Sequence, residues 1–175
     1  IYTVWASHCD AAPYNGWIIA YNESTLAQTA VLNYTPNGSQ GAIWNVGGLA
    51  ADTAGSLYAM AGNGTFETTL TSAGFPSQGD YGNAVMKLTA GSTSLSIADY
   101  WAASNTVSES ATDTDLGSGS PLLLPDQTDA NGVVRHLFVG AGKDGNVLLL
   151  DRDSLGKFEA SAATAWRQPD QPHRT

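Results

Sequence analysis

The chain has 175 residues, 42% of them apolar and only 13% charged, so it can build a packed core and is neither a coiled coil nor a disordered segment. Sixteen Asp and Glu against seven Lys and Arg give a formal net charge of -9, which repels a phosphate backbone and argues against nucleic-acid binding. No apolar run approaches the roughly 18 residues that span a bilayer, and the single cysteine, Cys9, excludes an intrachain disulfide or a thiolate metal cluster.

The chain opens, without an initiator Met, inside a run of strand character, Tyr2-Thr-Val-Trp-Ala-Ser7, and is expected to be a piece of a longer protein. Cys9 is expected as a half-buried small residue beside the end of that strand. Gly16-Trp-Ile-Ile-Ala-Tyr-Asn22 and Ala30-Val-Leu-Asn-Tyr34 follow as two further strands. A second set begins at Gly48-Leu-Ala-Ala-Asp52, turns at Thr53-Ala-Gly55, and continues through Leu57-Tyr-Ala-Met-Ala61, Gly82-Asn-Ala-Val-Met-Lys-Leu88 and Leu95-Ser-Ile-Ala-Asp-Tyr100. A third set comprises Pro121-Leu-Leu-Leu-Pro125, the turn Thr128-Asp-Ala-Asn-Gly132, Leu137-Phe-Val-Gly-Ala141 and Gly145-Asn-Val-Leu-Leu-Leu-Asp151.

Gly16, Gly82 and Gly145, each opening a strand-length apolar run, are 66 and 63 residues apart. They are expected in equivalent hairpin turns, where a glycine takes positive φ at no steric cost. Antiparallel strands recurring at a period of about 60 residues describe β-propeller blades with long loops. The expected fold is therefore all-β: a partial propeller of antiparallel four-stranded blades, over residues 1–36, 37–104 and 105–158, with three, four and three strands assigned. Residues 159–175 read as a poorly structured tail, although 158–166 has helical propensity through its alanines. Open strand edges make self-association an expected partner interaction.

The blocks Gly16-Trp-Ile-Ile-Ala-Tyr-Asn22, Asn37-Gly-Ser-Gln-Gly-Ala-Ile-Trp44, Gly48-Leu-Ala-Ala-Asp52, Gly62-Asn-Gly-Thr-Phe66, Asp80-Tyr-Gly82 and Val139-Gly-Ala-Gly-Lys-Asp-Gly145 resemble bacterial pyrrolo-quinoline-quinone-repeat (PQQ-like) propeller proteins from about Tyr2 to Phe158. That resemblance implies a fold of about two and a half to three blades. It leaves function open, because such proteins are related to cofactor-dependent dehydrogenases, assembly scaffolds and propeller hydrolases.

In a propeller, the loops between second and third strands and the crossings between blades gather on one face, which usually carries function. That placement puts His8, Asp10 and Tyr14 together with Trp44, Glu67, Asp80, Glu109, Asp113, Asp115, Lys143 and Asp144. His8 and Asp10 form the acid/base candidate, since a carboxylate can hold an imidazole in one tautomer. Tyr14, Trp44, Lys143 and Asp144 are the candidate substrate-binding residues. Asp113-Thr-Asp115 offers alternating carboxylates to a hard cation, which makes Ca²⁺ the candidate cofactor. Asp151-Arg-Asp153-Ser-Leu-Gly156 reads as a turn, because it lacks the glutamate that closes a calcium loop. Gly140-Ala-Gly142-Lys-Asp-Gly145 reads as a hairpin, because a strand and not a helix follows it.

A PQQ site needs stacking aromatics and several basic groups from many blades, so with seven basic residues PQQ is not expected as cofactor. The carboxylate-rich face gives a hydrolase acting on a small ester, lactone or sugar, with Ca²⁺ assistance, as the expected function. A non-catalytic binding or scaffold propeller is the alternative, and a quinone-dependent dehydrogenase fragment the third reading. The Ser/Thr/Gly/Asn-rich composition suits an exported protein, extracellular or periplasmic.

Overall fold

The computed structural model describes residues 1–45 and 47–158. Thirteen strands and one short helix follow in the order β1 (Tyr2–Trp5), β2 (Trp17–Tyr21), β3 (Gln28–Asn33), β4 (Ala50–Ala51), β5 (Leu57–Met60), β6 (Val85–Ala90), β7 (Leu95–Ala102), α1 (Thr106–Ala111), β8 (Leu122–Leu123), β9 (Gln127–Thr128), β10 (Val134–Arg135), β11 (Leu137–Ala141), β12 (Val147–Asp151) and β13 (Lys157–Phe158). The first sheet is β1-β2-β3, the second β4-β5-β6-β7 extended by β13, and the third β8-β11-β12. All pairs are antiparallel except β13, which lies parallel to β7. The strands β9 and β10 form a separate two-residue ribbon. This is a partial β-propeller, as the strand pattern predicts; three sheets do not close a ring.

The second sheet is buried on both faces, and its alternation divides the core in two. Leu57, Ala59, Met86, Leu88 and Tyr100 pack against Ile18, Ala20 and Ala30 of the first sheet. Tyr58, Met60, Val85 and Trp101, one residue out of step, pack against Phe138, Leu148 and Leu150 of the third. Every residue of β5 is consequently buried. The outward face of the first sheet is open and apolar, with Trp5, Trp17 and Val31 exposed, and Leu122 is exposed on the third.

The repeat differs from its glycine-led reading in one respect. With Leu57 matched to Phe138, each facing the preceding sheet, the pairings Leu57↔Leu88 and Phe138↔Leu150 make Leu88 correspond to Leu150, and hence Met86 to Leu148. Superposing Gly82 on Gly145 instead equates Val85 with Leu148, whose side chains face each other across the second interface rather than pointing the same way. The turns are also not equivalent: Gly145 has φ +76°, whereas at Gly82 the left-handed residue is the next one, Asn83, with φ +52°. Gly82 is required because a Cβ there would collide with the Gly64 backbone.

Two further expectations are corrected. Cys9 is exposed rather than half-buried, and it and Asp10 both adopt left-handed backbone, with φ of 56° and 54°. Phe158, at the start of the stretch with helical propensity, lies in a strand against the Phe66 ring, and the remainder of that stretch lies outside the described residues. Among the described residues α1 is the one α-helix, and its six residues are too few to display helical periodicity in the sequence. Its buried Glu109 accepts hydrogen bonds from Asn83 Nδ2 and Asn105 Nδ2, so this carboxylate ties the second crossing to the sheet below it. Among the described residues no helix is long and apolar enough to cross a membrane.

Candidate functional site

A cleft of about 320 Å³ opens where β1, β5 and β11 end, lined by Asp10, Tyr14, Trp44, Asn63, Asp113, Asp115 and Lys143 among others. Every sheet contributes to it. The β1–β2 loop brings Asp10 and Tyr14, the crossing after β3 brings Trp44, the crossing after α1 brings the two aspartates, and the β11–β12 hairpin brings Lys143. Six residues singled out from the sequence therefore converge although they span 133 positions of chain, Asp10 to Lys143.

Asp115 organises one wall. It is 2% exposed, its Oδ1 accepts the Asn63 backbone N–H at 2.6 Å, and its Oδ2 meets Lys143 Nζ at 2.5 Å. Lys143 Nζ also reaches Asp113 Oδ2 at 3.0 Å and the Asp113 carbonyl at 3.1 Å. Asn63 Nδ2 closes the cluster on Asp113 Oδ1 at 3.2 Å. Hydrogen bonds from Lys143 to Asp115 and then Asp113 raise the pKa of the ammonium, which stays charged through the neutral range.

Elsewhere in the lining the Tyr14 hydroxyl donates a short hydrogen bond to Asp10 Oδ1. Burial, reinforced by the Asp10 carboxylate, pushes the Tyr14 phenol well above its ordinary pKa, so Tyr14 is a donor and not a base. Trp44, 46% exposed, also lines the cleft and offers an open indole. His8 opens the tight turn after β1 in which Cys9 and Asp10 take left-handed backbone, and its side chain lies outside the described part of the structure.

Other candidates do not join the cleft. Asp144 folds back on Asn146, accepting from its N at 3.1 Å and Nδ2 at 2.7 Å. Glu67 binds Ser77 and the Gln78 N–H, and Asp80 accepts the N–H groups of Asn37 and Gly38, each at 3.0 Å. These carboxylates hold loops. Asn63 is the residue missed. Its signal was the pair of strand endings Ala61-Gly-Asn63 and Ala141-Gly-Lys143, which place a small residue and then a polar one against Asp115.

The residues fit neither cofactor that the fold brings to mind. At Asp113 and Asp115 the cation is Lys143, and among the described residues no group of three or more His, Cys, Asp or Glu side chains is placed to hold a metal ion. Three carboxylates against one ammonium likewise oppose a polyanionic quinone in this cleft.

No protein-family model matches the chain, and no curated protein is significantly similar to it. Among solved structures it is similar to the quinohemoprotein alcohol dehydrogenase ADHIIG of Pseudomonas putida HK5, with 15% identity over 86% of this chain and 25% of that one, and a TM-score of 0.55. It is equally similar to the quinohemoprotein alcohol dehydrogenase of Comamonas testosteroni, with 16% identity over 89% and 25% of the two chains and a TM-score of 0.55. At this identity the likeness shows the fold, a PQQ-like propeller, in agreement with the resemblance read from the sequence motifs. The chain spans about a quarter of the length of those dehydrogenases. The expected hydrolase, and the scaffold set beside it, are corrected by these neighbours, which stand with the third reading, a quinone-dependent dehydrogenase.

Proposed function

We propose that this chain is a section of a quinone-dependent dehydrogenase propeller, and that its cleft is a wall facing the hydroxyl-bearing substrate rather than the seat of the cofactor. The observation that carries this is the Asp10–Tyr14 pair in one cleft with the clamped Lys143 ammonium, on a scaffold whose solved neighbours are alcohol dehydrogenases. Asp10 is the group suited to accept a hydroxyl proton. Tyr14 fixes its orientation and remains protonated, while Lys143, its three N–H groups taken by Asp113 and Asp115, holds that part of the cleft in shape. Trp44 gives the carbon skeleton a flat apolar surface. The open apolar faces of the first and third sheets carry, in this reading, the neighbouring sheets of the ring.

The test is alcohol oxidation, coupled to an artificial electron acceptor, by the full-length protein containing this section after reconstitution with pyrroloquinoline quinone. Turnover is expected, with a fall of about 10²-fold or more in Asp10→Asn and quinone retention unchanged. A full-length protein that neither retains the quinone nor oxidises any alcohol overturns the proposal. Loss of quinone retention in Asp10→Asn would move the cofactor into this cleft.

A further inference from the structure

A larger cleft, about 480 Å³, lies at the opposite ends of the strands, between the second and third sheets. We propose that it binds a small oxyanion, the carboxylate or phosphate group of a small molecule, on Arg152 and Lys87. This site is independent of the dehydrogenase reading.

Arg152 follows β12 and is 9% exposed. Its Nη2 donates to the Leu124 carbonyl at 3.3 Å, whereas its Nε is buried without any hydrogen-bond partner. The carboxylate nearest this guanidinium is Asp126, whose side chain is 65% exposed and whose Oδ1 is 3.8 Å from Nη2, beyond hydrogen-bond reach. A buried guanidinium with an orphaned N–H is under-compensated for the water it has lost, and a planar or tetrahedral oxyanion meeting its Nη2 edge, where Asp126 stands off at 3.8 Å, adds a charge-assisted acceptor. Lys87 adds a second cation. It projects from β6 into the same cleft, donates to the Arg152 carbonyl at 2.8 Å, and stands 5.7 Å from the centre of the Tyr58 ring.

The other carboxylates lining the cleft are already occupied. Asp52 Oδ1 accepts the N–H groups of Ala54 and Ser56, and its Oδ2 accepts the Tyr58 hydroxyl at 3.0 Å. Asp153 Oδ2 lies 2.9 Å from His136 Nδ1. Only Asp126 is left to face Arg152, and it does so at a distance that an incoming anion can displace. Two of the seven basic residues of an acidic chain are thus held in one cleft without close ion pairs among the described residues.

The experiment titrates the chain separately with inorganic phosphate and with acetate, at constant ionic strength set by chloride, and reads binding by calorimetry and thermal unfolding. Saturable binding in at least one arm is expected, and the stronger arm identifies the headgroup. Arg152→Lys and Lys87→Met should each weaken it about tenfold or more, because each removes a charge-assisted contact or its geometry. Asp126→Asn alters an exposed side chain and leaves the core intact, so it decides the matter even where Arg152→Lys does not fold. Removal of the competing carboxylate should tighten binding several-fold. A linear, unsaturable response in both arms overturns the proposal, as does saturable binding that Asp126→Asn and Lys87→Met leave unchanged.

Discussion

Lys143 reaches Asp115 twice: its backbone N–H donates to the Asp115 carbonyl at 2.9 Å, and its ammonium meets the Asp115 carboxylate at 2.5 Å. The hairpin between β11 and β12 is thereby fastened to the crossing that follows α1. The two aspartates of Asp113-Thr-Asp115 are therefore unequal. Asp115 is buried and takes a backbone N–H of the β5–β6 loop as well, whereas the Asp113 side chain is 73% exposed. Asp115→Ala should cost about 2–4 kcal/mol, since it strands two donors beside a buried carboxylate position. Asp113→Ala should cost under about 1 kcal/mol, as exposed ion pairs do. Urea unfolding of the two variants checks this; equal losses would refute the asymmetry. Read as a pair of exposed loop residues, both would have been dispensable for folding.

Alkaline pH should unfold the protein by two routes. Lys143 has its pKa raised in the folded state, so its contribution is fully present below the unfolded value near 10.4 and is lost as pH rises through the folded one. The buried tyrosines act in the same direction. Burial pushes Tyr81 and Tyr100 up to about 12 and Tyr14, Tyr34 and Tyr58 well above 10. The unfolded chain releases those protons near pH 10 and the folded chain retains them, so stability falls above that pH. Thermal unfolding from pH 8 to 12 should show the melting temperature dropping beyond pH 10. The difference between the protein and its Lys143→Met variant should shrink over the same window. A difference that persists at pH 12 would show that the ammonium is not the group responsible.

Gly142 and Gly145 are close in sequence and should respond in opposite measure to alanine. A Cβ at Gly142 would stand 2.7 Å from Leu116 Cα and 2.8 Å from the Asp115 carbonyl, both backbone atoms that cannot turn aside. At Gly145 the added carbon meets open space, and only the backbone, with φ +76°, resists it. Gly145→Ala should therefore cost about 1 kcal/mol and Gly142→Ala substantially more, by separating the hairpin from Asp115. Unfolding midpoints in which Gly145→Ala is the more damaging change would contradict the packing described.

What the sequence made legible was set by periodicity. Strands such as Leu57-Tyr-Ala-Met60 and Val147-Leu-Leu-Leu-Asp151 are long apolar runs bounded by turn residues, and they could be placed without the structure. The convergence of Asp10, Tyr14, Trp44, Asp113, Asp115 and Lys143 followed from assigning loops to one face of a blade order. Burial was not legible in the same way. Asp115 and Glu109 look like solvated loop carboxylates until the chain that covers them is folded, and Asp144, next to Lys143 in sequence, turns its carboxylate onto Asn146 instead of the cleft. Parallel pairing of β13 with β7 is a contact between distant residues that no local pattern announces.

The last prediction tests the one-residue phase of the third sheet. Leu148, 1% exposed, packs with Val85, 0% exposed, in the interface with the second sheet, while Leu149 lies on the other face of β12 and is half-buried. An unpaired charge at Leu148 or Val85 loses its hydration with no partner, a penalty of several kcal/mol against a total stability of roughly 5–15 kcal/mol. Leu148→Asp and Val85→Asp should each abolish cooperative unfolding. Leu149→Asp keeps access to water and should cost less, about 1–2 kcal/mol. If the glycine-led superposition were the true one, Leu149 and not Leu148 would carry the buried position, and the order of the two leucine variants would reverse. Circular dichroism melts of the three variants side by side therefore distinguish the registers, because a slip of one residue exchanges every side chain between the faces of the strand.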